Sequence, residues 1–161
     1  MAIARSFLSQ ISVVTLFVVG MQTAVAQAPG DARPAKRYGI DANLDSFPQG
    51  APKETLSSVL KAIEEGKIAY LLAQLADPDY VDERVAKVHG GKFDALVEEV
   101  RAKLANDPGA IRKLRRYLDE GNWDIQDATA RAQLKDVPEQ VFFRKRDGRW
   151  YFENQERPKE K

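Results

Sequence analysis

Arginine side chains are concentrated in one short stretch near the end of the chain, VFFRKRDGRWYFENQ, residues 141–155. Asp147-Gly148 in its middle is typical of a two-residue hairpin turn, so the stretch predicts two antiparallel strands. Side chains alternate between the faces of a strand, which puts the arginines and one tyrosine together on the face turned away from the core. Counting a contribution from the strand predicted just before the hairpin, this candidate ligand or partner face comprises Arg131, Arg144, Arg146, Arg149 and Tyr151.

Such a face has the chemistry of an anion site, because guanidinium groups donate in a fork that matches carboxylate and phosphate groups. Tyr151 would serve as a stacking platform beside them. The alternative is a solvated outer face whose long side chains shield Phe142. The sequence favours this alternative, because cations are common on surfaces and Glu153 lies among them.

The opposite face of the hairpin is apolar and predicts packing against helices. With the turn at Asp147-Gly148, Phe143 stands opposite Phe152, and Lys145 stands opposite Trp150. The predicted core of the hairpin consists of Val141, Phe143, Trp150 and Phe152.

No residue pattern predicts catalysis, a metal or a cofactor. His89 is the only histidine, in KVHGGK, and we interpret it as an exposed loop residue because no partner motif accompanies it. The acidic run DPDYVDE, residues 77–83, lacks the glycine and the distal glutamate of a calcium loop, and it suits the first turn of a helix. The chain has no cysteine, which excludes thiolate metal sites and thiol chemistry.

Apolar residues recur at helical spacing over most of the chain and then change to strand alternation. Helices are predicted to begin at Pro52 and, with aspartate caps, at Pro78 and Pro108. Alternation begins near Ala128 and continues into the hairpin. The predicted fold is α+β, with four to five N-terminal helices packed on a C-terminal antiparallel meander of three to four strands.

The start of the chain resembles an export signal. One cation, an apolar run and Thr23-Ala24-Val25-Ala26 follow one another, so residues 1–26 are predicted to be a signal peptide. We expect a flexible linker at residues 27–50, a single α+β domain at 51–155 and a charged tail at 156–161. These features predict an exported protein, periplasmic or extracellular, with no stable membrane span after signal cleavage, although retention of the segment as an anchor stays open.

Charge excludes one class of partner. Removing residues 1–26 removes one basic side chain, Arg5, and leaves 24 basic and 24 acidic side chains. A neutral chain gives no electrostatic reason to expect nucleic acid.

Two stretches resemble a known superfamily. PKETLSSVLKAIEEGKIAYLLAQLADPDYV, residues 52–81, is similar to the opening helices of the nuclear-transport-factor-2-like (cystatin-like α+β) superfamily. DATARAQL and VFFRKRDGRWYFEN are similar to its closing strands, especially in small exported bacterial members of unknown function. The resemblance implies helices over the open side of a curved sheet, whereas residues 90–118 predict two helices where the superfamily usually has strands.

Three functions are compatible with these observations. The first is a non-enzymatic exported domain that binds a partner protein, an envelope component with an anionic surface, or a small apolar ligand. The second, implied by the resemblance, is a small enzyme of the cyclase or isomerase type. The third is a structural envelope protein that associates with itself through exposed sheet edges.

Overall fold

The computed structural model describes residues 35–153, which hold a bundle of helices followed by one sheet. The helices are α1 (Pro52–Glu64), α2 (Ile68–Tyr70), which runs directly into a π-helical turn (Leu71–Leu75), α3 (Pro78–Val88), α4 (Phe93–Asn106) and α5 (Pro108–Glu120). The strands are β1 (Asn122–Ile125), β2 (Thr129–Gln133), β3 (Gln140–Arg146) and β4 (Arg149–Glu153). The predicted α+β class is confirmed: helices come first, and four antiparallel strands follow in the order β1-β2-β3-β4.

Helix boundaries follow from local chemistry. Asp77 and Asp107 each accept a hydrogen bond from the backbone N–H three residues on, at 3.0 Å, and a proline follows each of them. Gly66 ends α1 with φ of 68°, and the N–H of Lys67 donates to the carbonyl of Ala62 at 2.8 Å. This is the left-handed helix ending that glycine adopts without steric cost.

The hairpin has the predicted register. Phe143 lies opposite Phe152 and Arg146 opposite Arg149, so Asp147-Gly148 is the two-residue turn. Both turn residues have positive φ, 47° and 76°, which matches the right-handed twist of the flanking strands. Val141, Phe143 and Trp150 are buried on the inner face, and Phe152 is half-buried.

Two hydrophobic clusters make up the core. One lies among the helices and includes Leu75 and Leu96. The other lies between α1, α5 and the inner face of the sheet and includes Leu56 and Phe143. Phe152 packs against both, so β4 is where the helical half and the sheet half of the domain meet.

The predicted linker needs a correction. Residues 35–50, here called the strap, pack on the domain instead of leading freely to it. Phe47 is only 2% exposed, its ring centroid lies 4.5 Å from that of Tyr70, and Lys61 and Lys67 lie over it. The irregular proline and glycine spacing removes any period from this segment, yet contacts across long sequence separations fix it.

Some expectations lie outside the described residues. These are the signal peptide at residues 1–26, the first part of the linker and the charged tail at 156–161. Within residues 35–153, no helix combines the length and apolar character that crossing a membrane requires.

Candidate functional site

One group of charged side chains lies where the strap, the π-helical turn and the start of α3 meet the outer face of β3 and β4. Four arginines and four carboxylates lie there, and we call this set the arginine cluster. Its members are Arg37, Arg144, Arg146, Arg149, Asp77, Asp79, Asp82 and Glu153.

Two buried glutamines hold the elements of this region together. Gln49 of the strap is 2% exposed, and its Nε2 donates to the carbonyls of Gln74 at 3.0 Å and Trp150 at 2.8 Å. Gln74 of the π-helical turn is fully buried, and its Nε2 donates to the carbonyl of Ile40 at 2.8 Å. Because both amide NH₂ groups are used by backbone carbonyls, both amide oxygens are left to face Arg149.

The same residues close the outer edge of β4. The N–H of Trp150 donates to the Gln49 carbonyl at 2.9 Å, and the N–H of Asp77 donates to the Phe152 carbonyl at 2.9 Å. An exposed edge strand would present these groups to other chains, so the strap and the chain after the π-helical turn protect this edge.

Arg149 differs from the other arginines in its partners. Its Nη1 lies 3.4 Å from Oε1 of Gln49 and 3.5 Å from Oε1 of Gln74, and its Cζ lies 5.0 Å from the ring centroid of Tyr151. These amide contacts are longer than an ordinary N–H···O hydrogen bond. Within residues 35–153 the half-buried Arg149 has no carboxylate partner.

The other three arginines are neutralised by carboxylates. Arg37 Nη2 lies 2.6 Å from Asp82, and Arg144 Nε lies 3.0 Å from Glu153. Arg146 forms a two-pronged pair with Asp79, one prong being 2.8 Å, which raises the pKa of its guanidinium. Arg146 also lies 3.8 Å from Asp77, a carboxylate that is 1% exposed.

Tyr151 lies inside the cluster and is not a surface platform. It is 3% exposed, and the Arg149 guanidinium lies 5.0 Å from its ring centroid. Burial raises the pKa of its hydroxyl, while the positive charges of Arg149 and Arg37 act in the opposite direction. Sequence periodicity assigns the face of the sheet correctly but carries no information on what covers it.

Arg131, the fifth residue of the predicted face, lies apart from the arginine cluster. It is exposed on β2 and pairs with Asp124 of β1, with 2.9 Å between Nη2 and Oδ2. The structure therefore unites Arg144, Arg146, Arg149 and Tyr151 and leaves Arg131 as a separate surface pair.

The single histidine belongs to a second polar group, between the end of α3 and the middle of α4. His89 is not an exposed loop residue: its side chain is 13% exposed, and its Nε2 lies 2.9 Å from Oε2 of Glu99. Lys103 and Arg84 also bind Glu99, at 2.5 and 2.7 Å, and they lower its pKa from 4.5 to about 2. Glu99 thus stays ionised and is a weak proton acceptor.

A metal site finds no support in this region. The described residues contain no group of three or more histidine, cysteine, aspartate or glutamate side chains placed to hold a metal ion. The carboxylates of the arginine cluster face guanidinium groups instead.

Sequence reasoning missed Arg37, Gln49 and Gln74. Gln74 had a usable signal, because it is the one polar residue in the apolar run LLAQLA, where a polar side chain has to find internal partners. Arg37 and Gln49 carried no such signal, since they lie in a segment without period.

Comparisons with protein-family models, with curated proteins and with solved structures give no match to this chain. The geometry of the arginine cluster therefore carries the functional argument.

Proposed function

We propose that this chain is an exported, non-enzymatic binding domain that recognises an anionic group of an envelope component or partner at Arg149. The observation that carries the proposal is the partner set of Arg149: two amide oxygens and one aromatic ring, with no carboxylate among the described residues. The other three arginines of the cluster each have a carboxylate.

A half-buried cation without a counter-charge loses hydration and gains little in return. Full burial of a charge costs several kcal/mol, and a carboxylate partner offsets part of that cost. Amide oxygens at 3.4 and 3.5 Å replace only part of that hydration. An incoming anion at about 2.8 Å, the usual length of a charge-assisted bond, would complete it.

The surroundings of Arg149 favour a preformed site. Gln49 and Gln74 are held by backbone carbonyls, so their oxygens are fixed before any ligand arrives. Tyr151 supports the guanidinium from one side, at 5.0 Å. A fixed guanidinium loses little side-chain entropy on binding, which increases affinity for a planar or tetrahedral anion.

Export is part of the proposal and rests on the sequence of residues 1–26. The order of cation, apolar run and Ala24-Val25-Ala26 supports secretion, and the lack of cysteine is compatible with any compartment. The likeness to the nuclear-transport-factor-2-like superfamily is likewise a proposal. It is supported by the order of a helix, a glycine break, a short helix and a closing meander.

Native mass spectrometry of the protein recovered from its own cell envelope tests the proposal. We expect an adduct on the wild-type mass that is lost on denaturation, persists in Arg131→Gln and is absent in Arg149→Gln. Arg131→Gln is the matched control, because it removes an arginine that is exposed and already paired with Asp124. A bare wild-type mass, or an adduct that Arg149→Gln leaves unchanged, would contradict the proposal.

A further inference from the structure

The two edges of the sheet differ in how their backbone groups are used. At the β4 edge, the N–H of Trp150 donates to the carbonyl of Gln49, and the carbonyl of Phe152 accepts from the N–H of Asp77. The strand β1 forms the other edge, and within residues 35–153 its only strand neighbour is β2. Whether this second edge is open depends on which backbone groups of β1 point away from β2.

The hydrogen bonds between β1 and β2 show which groups these are. Just after β1, the N–H of Gln126 donates to the carbonyl of Thr129, the first residue of β2, at 2.8 Å. The backbone groups of successive residues in an antiparallel strand face alternate sides, so Asp124 faces β2 as Gln126 does. Trp123 and Ile125 therefore direct their N–H and C=O groups away from the sheet.

These outward groups have no partner in the described part of the chain. No hydrogen bond within residues 35–153 involves the backbone N–H or C=O of Trp123 or Ile125. All residues of β1 except Trp123 are exposed, so another strand has access to this edge. The edge also lacks the lysines and prolines that deter strand pairing, and the charge of Asp124 is neutralised by Arg131 at 2.9 Å.

An apolar side chain is exposed beside the open edge. Side chains two residues apart share a face of a strand, so Ile125 lies on the same face as Trp123. The Trp123 ring packs against Phe143 with centroids 5.4 Å apart, whereas Ile125 is 51% exposed. A strand that paired with β1 would cover Ile125 if it placed an apolar side chain beside it.

The β1 strand of a second copy meets both requirements. In a two-fold antiparallel pairing centred on Asp124, Trp123 of one copy lies opposite Ile125 of the other, and the outward N–H and C=O groups of both residues are used. An aromatic residue opposite a β-branched one is a favourable cross-strand pair. The two Asp124 carboxylates then lie opposite each other, and the Arg131 side chain in each copy offsets their repulsion.

We propose that two copies of this chain associate by antiparallel pairing of their β1 strands, which joins two four-stranded sheets into one continuous sheet. This association is independent of anion recognition, because Arg149 lies on β4 at the opposite edge. Each copy contributes a strand of four residues. Such a contact buries much less than the roughly 800 Å² per partner of a standard interface, so the dimer is weak and reversible.

Amide hydrogen exchange of the protein purified from its own cells tests the pairing residue by residue. With a dissociation constant of about 0.1 mM, we expect the amides of Trp123 and Ile125 to exchange about fourfold more slowly at about 1 mM protein than at about 10 µM. The reference is Asp94, whose amide in the first turn of α4 has no intrahelical acceptor and should exchange at the same rate at both concentrations.

A substitution at the edge provides a second test. Ile125→Lys places two like charges in the pairing and should weaken the dimer at least about tenfold in sedimentation equilibrium. Because Ile125 is exposed, we expect little change in the thermal midpoint of the dilute protein. The matched control is Val88→Lys, which changes a 58% exposed apolar residue at the end of α3 and should leave the dimer intact.

The proposal is supported by slower exchange that is confined to the β1 edge and is lost in Ile125→Lys. A protein that stays monomeric at about 1 mM would overturn it, since the expected dissociation constant is about tenfold lower. A dimer that Ile125→Lys leaves unchanged, or that Val88→Lys weakens equally, would also overturn it, because association would then not depend on the β1 edge.

Discussion

The two polar groups of this domain treat charge in opposite ways. In the arginine cluster a cation, Arg149, is surrounded by amide oxygens and a tyrosine ring. Between α3 and α4 an anion, Glu99, is surrounded by Lys103, Arg84 and His89. Within residues 35–153 the first group leaves one charge without a counter-charge, and the second provides more counter-charge than one carboxylate needs.

The difference distinguishes a candidate binding site, at Arg149, from a group of ion pairs that only joins helices, at Glu99. Glu99 is already saturated, so its cluster joins α3 to α4 and has nothing left to offer a ligand. Arg149 is positioned by neighbours that fix its direction without neutralising it.

The largest loss in the free energy of unfolding is expected on removing the buried amide group of Gln74, which lies beside Arg149. Gln74→Met keeps a similar volume but leaves the Ile40 carbonyl and its other partners without their donor. We expect a loss of about 2–3 kcal/mol in the free energy of unfolding, measured by urea denaturation. Gln133→Met, which changes an exposed glutamine bonded to Gln140, should cost about 0.5 kcal/mol or less. Equal losses in the free energy of unfolding for the two variants would show that Gln74 does not hold the strap on the domain.

Neutralising Glu99 should reduce the free energy of unfolding by a smaller amount, and the size of this loss should depend on pH. The pKa of Glu99 in the folded state is about 2, against 4.5 ordinarily, so its ionised form is favoured in the folded protein. This contribution is complete above pH 4.5 and is lost as the pH falls towards 2. We expect Glu99→Gln to cost about 1 kcal/mol at pH 7 and to flatten the decline of stability in this window.

The control for Glu99→Gln is Glu98→Gln, which removes an exposed carboxylate paired with Arg101. Its effect should be within about 0.5 kcal/mol. A wild-type stability that does not fall between pH 4.5 and 2 any more steeply than that of Glu99→Gln would refute the role given to Glu99.

Two arginines on the same face of the hairpin should respond differently. Arg146→Gln removes the two-pronged pair with Asp79, and we expect it to destabilise the domain by about 1 kcal/mol. Arg149→Gln removes a cation without a counter-charge, and its stability should change by about 0.5 kcal/mol at most or increase. Chemical denaturation of both variants measures the contrast, and a larger loss in Arg149→Gln would reverse the distinction drawn above.

A small and local effect is expected at the tip of the strap. Tyr38→Phe keeps the ring that stacks on Phe93 and removes the hydroxyl that donates to Asp82. We expect a loss of about 0.5–1 kcal/mol, because the bond is largely exposed and Arg37 still binds the carboxylate. Hydrogen exchange at Ile40, whose N–H donates to Arg37, should report the loosening more directly than global unfolding.

The parts of this fold that sequence reasoning predicted depend on neighbouring residues. Proline after a capping aspartate starts α3 and α5, and Asp147-Gly148 fixes the hairpin register, because these are short-range choices. The α+β order also follows from a change of hydrophobic period.

The parts that could not be predicted depend on contacts far apart in the chain. The bond from Gln49 to Trp150 spans 101 positions, and no local pattern announces it. The fixed strap, the burial of Tyr151 and the partners of Arg149 all follow from such contacts. The sequence could place Arg149 on the outer face of β4 but could not show that this face is partly covered.

Binding of an outside anion by Arg149 can be observed directly at the side-chain Nε–H resonances of ¹⁵N-labelled arginines while N-acetylglycine or methyl phosphate is added in separate titrations, with Arg131 as the internal reference. We expect at least one of the two anions to move the Arg149 resonance to a saturable end point while that of Arg131 stays in place. An Arg149 resonance that moves with neither anion, or that moves only in parallel with Arg131, would contradict anion binding at Arg149.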